Sequence, residues 1–474
     1  MRHICTSIVA TLALAATSAT FAGTDECAPQ QTAKLTSGGW GDYDEFGSSV
    51  AIDAGVAVIG APCDDNYGLD TGIAHFYEKQ ADGTWQRVDL IRADVAYRAR
   101  FGNSVAIDAG VAVIGAYNDG TYFDNGHQSG SAYVFEQQAD GTWQQVAKLT
   151  ADDAASWDWF GHSVAIDGDT CVIGAHRTGV NDSYFGSAYV FVQQADGTWQ
   201  QVAKITADDG ASHDYFGYSV ALNAGVAVIG AYGDDDNGSY SGSAYVFEQQ
   251  ADGTWQQVAK LTADDGSGGD RFGSSVTTDA GMAVIGALYD DDNGSAYVYE
   301  QQADGTWQQV AKLTADDGAS GDWFGCSVAL NAGVTVIGAI RDNDNGNDSG
   351  SAYVYEQQGD GTWQQIAKLT ADDGASEDFF GWVAIDAGVA VIGAIGDDDV
   401  NGIPSGSAYV YDVLRTNTDC NGDVNCNQVV DVADLDVILS LWNQDVDGID
   451  ISGDGLIGIT DLLMLLEAWG PCPQ

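Results

Sequence analysis

Residues 216–262 read FGYSVALNAGVAVIGAYGDDDNGSYSGSAYVFEQQADGTWQQVAKLT. Four runs rich in β-branched and aromatic residues, at 216–222, 225–231, 242–250 and 255–262, are separated by turn sequences. The second run does not alternate polar and apolar residues, which is typical of a strand buried on both faces. Asn-Ala-Gly joins the first two runs and Ala-Asp-Gly-Thr joins the last two, and both favour tight hairpins. The stretch therefore predicts a sheet of four antiparallel strands.

The same pattern is repeated along the chain. Seven Phe-Gly pairs recur at spacings of 52 to 59 residues, and each of these copies leads through an apolar run into Gly-Ala. The repeated phenylalanines are Phe46, Phe101, Phe160, Phe216, Phe272, Phe324 and Phe380. Seven tandem units of four strands predict a mainly β protein with the architecture of a seven-bladed β-propeller.

The last unit is incomplete, and its missing strand is found at the other end of the sequence. The seventh unit stops after its third strand, near Asp412. Residues 30–36, QQTAKLT, match QQVAKLT at 144–150 in six of seven positions. We expect this N-terminal strand to complete the last blade, because closure of the ring removes open sheet edges.

The Phe-Gly and Gly-Ala pairs, in this order and number, resemble FG-GAP repeats, the units of the integrin α-chain propeller and of many bacterial secreted proteins. The resemblance covers about residues 30–412. Integrin-type repeats often hold calcium in a loop between the first two strands, whereas that loop is only Asp-Ala-Gly here. The resemblance therefore implies the fold without implying calcium at that position.

The N-terminus predicts export from the cell. Residues 1–22 resemble a secretory signal peptide, with Arg2 at the start, an apolar run at 8–16 and small residues before the expected cleavage site. No later run approaches the roughly 18 continuous apolar residues of a membrane helix. We expect a secreted extracellular or cell-surface protein without membrane insertion.

The charge balance is strongly acidic. The sequence has 70 Asp and Glu residues against 16 Lys and Arg, a net charge of −54. Such a surface repels nucleic acids and anionic lipids and attracts divalent cations. We therefore expect no nucleic-acid partner.

Cysteine usage leaves several pairings open. Removal of the signal peptide with Cys5 leaves seven cysteines, an odd number. Cys171 and Cys326 stand in strand patterns and are predicted to be buried thiols. The sequence does not decide the pairing of Cys27, Cys63 and Cys426.

Acidic loops follow four of the Gly-Ala pairs. Three of them contain Asp-x-Asp-x-Gly, starting at Asp234, Asp290 and Asp342. Only the fourth loop offers three alternate oxygen ligands followed by glycine, Asp397, Asp399 and Asn401, as a calcium loop requires. These residues are candidate calcium ligands, and the alternative is a solvated polar loop.

Other charged and polar residues have plainer explanations. Asp-Asp-Gly recurs before Phe-Gly with a further Asp downstream, as in Asp208, Asp209 and Asp214, and predicts side-chain hydrogen bonds within turns. Arg92, Arg98 and Arg100 form the only basic cluster, which either receives an acidic partner or compensates charge locally. The histidines have no metal-binding spacing, so only the fold could assemble a histidine metal site.

The C-terminal segment changes from strand to helix periodicity. Two helical stripes, around 434–442 and 461–469, each follow an acidic loop with calcium-loop spacing. The candidate calcium ligands of the first loop are Asp423, Asn425, Asn427, Asp431 and Asp434, with the backbone carbonyl of Val429. Those of the second loop are Asp450, Ser452, Asp454 and Asp461, with the backbone carbonyl of Leu456.

This duplicated loop-helix unit resembles a type I dockerin, a family that binds Ca²⁺ and inserts into cohesin domains. Gln428 replaces the usual turn glycine, and Gly458 supplies no ligand, so the resemblance implies calcium more firmly than a cohesin-like partner. Cys420 and Cys472 bracket the unit and are a candidate disulfide, since export permits oxidation. We divide the chain into a signal peptide (1–22), the propeller (23–412), a linker (413–418) and a dockerin-like α-helical domain (419–474).

The sequence favours a binding function over an enzymatic one. It contains no evident nucleophile, base or phosphate-binding motif. We expect a secreted, non-catalytic binding or adhesion protein for a protein or glycan ligand, attached through its calcium-binding module. The alternatives are an extracellular polysaccharide-degrading enzyme or accessory subunit, which would need two carboxylates in one cleft, and a structural matrix component.

Overall fold

The computed structural model describes residues 29–38, 43–66, 68–93, 95, 97–120, 128–179, 183–398, 402–413, 429–430, 459–467 and 470–471. Within them, Pro29–Leu414 form one compact unit. Seven sheets of four antiparallel strands follow one another in this unit. It is a seven-bladed β-propeller, as the repeats predict.

The blades are numbered in chain order, and each is given from its inner to its outer strand. Blade 1 contains β2 (Ser49–Asp53), β3 (Val56–Ala61), β4 (Ile73–Lys79) and β5 (Trp85–Ile91). Blade 2 contains β6 (Val105–Asp108), β7 (Val111–Ala116), β8 (Ser131–Gln137) and β9 (Trp143–Leu149). Blade 3 contains β10 (Ser163–Asp167), β11 (Thr170–Ala175), β12 (Ser187–Gln193) and β13 (Trp199–Ile205). Blade 4 contains β14 (Ser219–Asn223), β15 (Val226–Ala231), β16 (Ser243–Gln249) and β17 (Trp255–Leu261).

The remaining blades continue in the same way. Blade 5 contains β18 (Phe272–Asp279), β19 (Met282–Ala287), β20 (Ser295–Gln301) and β21 (Trp307–Leu313), with a 3-10 turn at Asp290–Asp292. Blade 6 contains β22 (Phe324–Asn331), β23 (Val334–Ala339), β24 (Ser351–Gln357) and β25 (Trp363–Leu369). Blade 7 contains β26 (Phe380–Asp386), β27 (Val389–Ala394), β28 (Ser407–Asp412) and the N-terminal β1 (Gln30–Thr36).

The second strand of each blade lies in the core. In β15 only Val226 is partly exposed, and the next five residues are buried. This confirms the expectation from its unbroken apolar run. The apolar side chains of adjacent blades pack into shared clusters, as in the cluster that joins Val190 of blade 3 to Ile229 of blade 4. The core is therefore formed by the blade interfaces.

The hairpin between the first two strands also links neighbouring blades. Its two central residues, for example Ala54 and Gly55, have positive φ angles of 46° and 79°, as in a type I′ turn. The Asp or Asn before the turn accepts a hydrogen bond from the turn of the next blade, as from Ala109 N to Asp53 Oδ2 at 2.8 Å. Equivalent bonds complete the circle, ending with Ala54 N to Asp386 Oδ2 at 2.9 Å.

The inner strands begin differently from the prediction in the first four blades. The sequence predicts a strand from Phe216, but β14 begins at Ser219. Phe216 instead forms an isolated parallel bridge with Gly186 of the preceding blade. Gly217 has a φ of 86°, in the left-handed region that favours glycine. The Phe-Gly pair therefore serves the contact between blades.

The ring closes at blade 7 as predicted. Strand β1 pairs antiparallel with β28, from Gln30 opposite Asp412 to Thr36 opposite Ser407. Leu35 of β1 is buried, and Lys34 pairs with Asp397 of blade 7 and with Asp373 of the connection from blade 6. The N-terminal strand therefore supplies both apolar and ionic contacts to the last blade.

The C-terminal segment is described only in part. Helix α1 (Ile459–Glu467) has Leu465 buried, and β29 (Val429–Val430) pairs with β30 (Gly470–Pro471). The expected stripe is matched at Leu465, whereas Leu466 is exposed. The first predicted helix lies outside the described residues. Among the described helices, none has the length and apolar character needed to span a bilayer.

Removal of β1 should destabilise the whole propeller. A chain that starts at Ser37 loses the pairing with β28, the ion pairs of Lys34 and the burial of Leu35, which alone is worth about 2 kcal/mol. We expect a lower melting temperature by differential scanning calorimetry. A chain that starts at Pro29 is the control and should melt like the longer chain. Equal melting of the two truncated chains would show that β1 does not contribute to closure.

Candidate ligand-binding face

The two faces of the propeller carry different loops. Because the four strands of a blade are antiparallel, both short hairpins lie on one face, which we call the hairpin face. The loop between the second and third strands and the connection to the next blade lie on the other, which we call the long-loop face. The Phe-Gly and Gly-Ala pairs both adjoin the long-loop face. Variable residues beside these pairs are therefore displayed there.

A lysine lies among carboxylates in blade 4. Lys260 Nζ is 2.7 Å from Asp209 Oδ2, 3.0 Å from Asp234 Oδ2 and 2.5 Å from Asp236 Oδ2. The hydroxyl of Tyr245 donates to Asp209 and Asp234, each at 3.0 Å. Asp209 belongs to the connection from blade 3, so the cluster ties that connection to blade 4.

The lysine cluster recurs with the repeat. Lys312 in blade 5 and Lys368 in blade 6 are each paired with three carboxylates, those of Asp265, Asp290 and Asp291 and of Asp317, Asp342 and Asp344. In blades 4, 5 and 6, the carboxylate oxygens of each set lie within 4.8 Å of one another, close enough to bind a metal ion. The lysine ammonium stands among these carboxylates and supplies a built-in positive charge.

The charges in each cluster support one another. Burial alone would raise the pKa of Asp209, but the hydrogen bonds from Lys260 and Tyr245 outweigh burial and hold that pKa below its usual value. Burial would lower the pKa of Lys260, and its bonds to the three carboxylates reverse the effect and raise that pKa. The ammonium of Lys260 and the carboxylate of Asp209 are therefore charged across the physiological pH range.

The acidic loops thus have a use that the sequence did not predict. Asp397, a candidate calcium ligand, is 2.7 Å from Lys34 Nζ, while Asp399 and Asn401 lie outside the described residues. In blade 5, Asp291 and not Asp292 joins Asp290 at the lysine. The prediction of polar turns holds for Asp214, whose Oδ2 accepts from Ala211 N at 2.6 Å.

Aromatic and cationic side chains form a continuous series of contacts across the long-loop face of blades 2 to 6. We call this series the aromatic arc. Its members are Tyr117, Trp159, His162, His176, Arg177, Tyr184, Tyr215, Tyr218, Tyr232, Tyr240, Arg271, Tyr289, Trp323 and Arg341.

The arc is most tightly packed between blades 3 and 4. The rings of His162 and His176 are 4.2 Å apart, and His162 is 4.9 Å from Tyr218. Tyr218 lies 4.5 Å from Tyr232, which stacks on Tyr215 at 5.0 Å with an interplanar angle of 1°. The rings therefore hold one another in fixed orientations.

Three arginines lie over rings of the arc. The guanidinium carbon of Arg177 is 3.4 Å from the centre of the Trp159 ring, and that of Arg341 is 3.8 Å from the Trp323 ring. Arg271 lies 4.7 Å from the Tyr289 ring. Cations prefer such positions because the face of an aromatic ring is electron-rich.

The histidines of the arc do not carry its positive charge. Burial lowers the pKa of His162 to about 4, against a weaker opposing effect of the backbone of Tyr218, and Arg177 lowers it further. Burial, His162 and Arg177 hold the pKa of His176 well below its ordinary value. Both rings are neutral near pH 7, so the arginines supply the charge.

A depression on the propeller axis adjoins the arc. It has a volume of about 230 Å³. The residue that follows each Phe-Gly pair lines it. These residues are Ser48, Asn103, His162, Tyr218, Ser274, Cys326 and Trp382. His162 and Tyr218 belong to both the depression and the arc, so one ligand can contact both.

The repeats match a known family over most of the propeller. The FG-GAP repeat family is matched at 29–77, 85–135, 143–191, 199–247, 255–299, 307–355 and 363–411. The chain belongs to the FG-GAP repeat family. This match confirms the resemblance of the propeller and the number of its repeats.

Solved structures and curated proteins add little to the family match. The crystal structure of Saccharomyces cerevisiae Sqt1 is 12% identical to this FG-GAP protein, with a TM-score of 0.44, over 78% of this chain and 84% of that chain. No curated protein matches the chain.

Sequence reasoning missed the arc of this FG-GAP propeller, although a signal was present. The strands of the repeats are similar in sequence, but the residue before Phe-Gly varies among five residue types. It is Glu45, Arg100, Trp159, Tyr215, Arg271, Trp323 and Phe379 in blades 1 to 7. Variation at one position of a uniform repeat marks residues that the fold does not require.

The other candidate residues separate into described and undescribed ones. Arg98 and Arg100 pair with Asp70 and Glu45, at 3.7 and 3.5 Å, which is local charge compensation. Cys171 is buried as predicted, and Cys326 is partly buried. Cys63 is a free thiol whose Sγ contacts Arg100, and burial raises its pKa.

The candidate calcium ligands of the C-terminal segment are mostly outside the described residues. Val429 lies in β29 and Asp461 lies in α1, without a described side chain. The other ligands, and the pair Cys420 and Cys472, have no described position. These assignments stay predictions.

Replacement of a clustered lysine should destabilise the propeller. Lys260→Met leaves the buried carboxylate of Asp234 without its ammonium partner, and we expect a loss of about 3 kcal/mol by chemical denaturation. Added Ca²⁺ should restore part of this loss, because three converging carboxylates then lack a cation.

The matched control is Lys204→Met in blade 3. Lys204 pairs with Asp153, and both side chains are largely exposed, so the change should cost less than about 1 kcal/mol. Equal losses in the two variants would contradict a structural role for the three-carboxylate cluster.

Proposed function

We propose that this FG-GAP protein is a non-catalytic binding or adhesion protein that acts outside the cell and holds its ligand on the aromatic arc. The fold itself fits a binding role, because a propeller presents many loops on a rigid frame. The observation that carries the proposal is the unbroken series of ring–ring and cation–ring contacts from Tyr117 to Arg341.

The arc has the composition of a binding surface. Aromatic and arginine side chains provide most of the binding energy at many interfaces. Except for the buried His176, these side chains are at least partly exposed on one face of a protein whose net charge is −54. Trp157 and Tyr240, which lie in the same loops, are 47% and 36% exposed. A large apolar surface of this kind needs a functional explanation.

The carboxylates on the same face favour binding over catalysis. Asp214 and Asp378 accept hydrogen bonds from turn amides, and Asp234 and Asp342 are bonded to lysine and tyrosine. Carboxylates engaged in this way support the fold. A polysaccharide-degrading enzyme would instead need two carboxylates facing a bound sugar.

Loss of arc side chains should abolish ligand binding without unfolding the protein. The full chain, immobilised and exposed to an array of extracellular proteins and glycans, should retain one ligand class. Tyr232→Ala and Trp323→Ala should each weaken retention by about tenfold or more, the typical effect of a buried aromatic contact.

Val258→Ala is the control. Val258 is exposed on the outer strand of blade 4, and this strand contains no residue of the arc. Retention that is unchanged in both arc variants would contradict binding at the arc. Turnover of a retained glycan, abolished by one Asp or Glu substitution in the propeller, would support the enzymatic alternative.

The dockerin-like module is proposed as the attachment device of the secreted protein. Its two loops would bind Ca²⁺ through Asp423, Asn425, Asn427, Asp431 and Asp434 and through Asp450, Ser452, Asp454 and Asp461, with the carbonyls of Val429 and Leu456. Their carboxylates repel one another without an ion, so folding and calcium binding are coupled. A cohesin-like domain is the proposed partner, and Cys420 with Cys472 the proposed disulfide.

Calcium removal should expose the C-terminal module and leave the propeller folded. In limited proteolysis of the full chain, a chelator should allow cleavage within 419–474 and leave a resistant propeller fragment. Asp423→Ala and Asp450→Ala should each give partial cleavage in the presence of Ca²⁺. Full resistance of the segment in excess chelator would contradict the calcium-binding assignment.

A further inference from the structure

The arginines of the aromatic arc differ from the other cations of the propeller. Lys34, Lys148, Lys204, Lys260, Lys312 and Lys368 each pair with at least one carboxylate. Among the described residues, Arg177, Arg271 and Arg341 have neither an ion pair nor a side-chain hydrogen bond. In a chain with 70 acidic residues, three described arginines with neither kind of contact are an exception.

Aromatic rings hold these arginines in place without neutralising them. The guanidinium groups of Arg177 and Arg341 lie less than 4 Å from the centres of the Trp159 and Trp323 rings. The Nε atoms of both arginines are buried without a hydrogen-bond partner. An arginine stacked in this way keeps its charge and its outer N–H groups available for an anion.

The aromatic arc contains fewer arginines than aromatic rings. Arg177 belongs to blade 3, Arg271 to blade 5 and Arg341 to blade 6, and the rings of Tyr215, Tyr232 and other arc residues lie between them. A matching ligand is long enough to cross several blades, has apolar faces that stack on rings and carries anionic groups at intervals.

We propose that the aromatic arc binds an acidic polysaccharide, a chain of sugar rings of which some carry a carboxylate. This proposal rests on the proposed function and names its ligand class. Sugar rings stack their apolar faces on aromatic side chains, and carboxylates accept paired hydrogen bonds from guanidinium groups. The net charge of −54 disfavours the binding of a densely charged anionic polymer. The surrounding lysine-carboxylate clusters do not attract such a polymer.

The test compares the binding of two forms of one polymer to the full chain by isothermal titration calorimetry. Partly methyl-esterified polygalacturonate carries carboxylates at intervals, and the fully esterified form has the same backbone without charge. We expect the partly esterified form to bind at least about tenfold tighter, as charged hydrogen bonds predict. Higher salt should reduce this difference.

The arginines should account for the difference. The triple variant Arg177→Gln, Arg271→Gln and Arg341→Gln should bind both forms equally and melt at the temperature of the unchanged chain. Arg87→Gln is the control with the same type of charge change, because Arg87 lies on β5 and contacts Ser37. It should keep the preference for the acidic form.

Three results would overturn the ligand class and leave the proposed function intact, provided that Tyr232→Ala still abolishes retention on the array. They are equal affinity of the unchanged chain for both polymer forms, tighter binding of poly-glutamate or a single-stranded oligonucleotide, and binding of none of these polymers. An acidic preference that persists in the triple variant would overturn the role of the arginines and with it the proposal. The proposed function is contradicted by different results, namely unchanged retention in the arc variants or turnover of a retained glycan.

Discussion

The propeller depends on direct contact between the backbones of neighbouring blades. In every blade the glycine of Gly-Ala faces the glycine of the next blade's Phe-Gly pair. A Cβ atom built at Gly230 would lie 2.0 Å from the carbonyl oxygen of Gly273, and one at Gly393 would lie 1.9 Å from that of Gly47. No side chain fits into this space, so the two glycines set the distance between blades.

The other contacts between blades follow from that approach. In blades 2, 3, 4 and 6 the glycine before the third strand, such as Gly242, bridges the phenylalanine of the next Phe-Gly pair, here Phe272. On the hairpin face, an Asp or Asn of one blade accepts a hydrogen bond from the turn of the next. Polar backbone groups at the interfaces are thus satisfied. The residues beside the two pairs are not needed for these contacts between blades. The side chains of the aromatic arc stand at these positions.

Much of the fold could be predicted because the same strand and turn signals recur in each repeat. Seven copies of one pattern define the strands and turns, and QQTAKLT at 30–36 identifies the closing strand. The bridge from Phe216 to Gly186 could not be predicted from the local pattern, because it joins two blades. The lysine clusters could not be predicted for a similar reason, since Asp209 and Lys260 are 51 residues apart. The arc combines loops of five blades, which no local pattern relates.

The glycine contact can be tested with one pair of substitutions. Gly230 has no positive φ angle, so Gly230→Ala adds only a methyl group, which would lie 2.0 Å from the carbonyl oxygen of Gly273 and 2.3 Å from Ser219 Oγ of its own blade. Gly359→Ala is the matched control, because a Cβ atom there meets nothing within 4 Å and the φ angle is also not positive. The melting temperatures by calorimetry are compared with that of the unchanged chain. A marked decrease for Gly230→Ala with no decrease for Gly359→Ala is the predicted result, and equal melting of the two variants would contradict the dependence of the propeller on this contact.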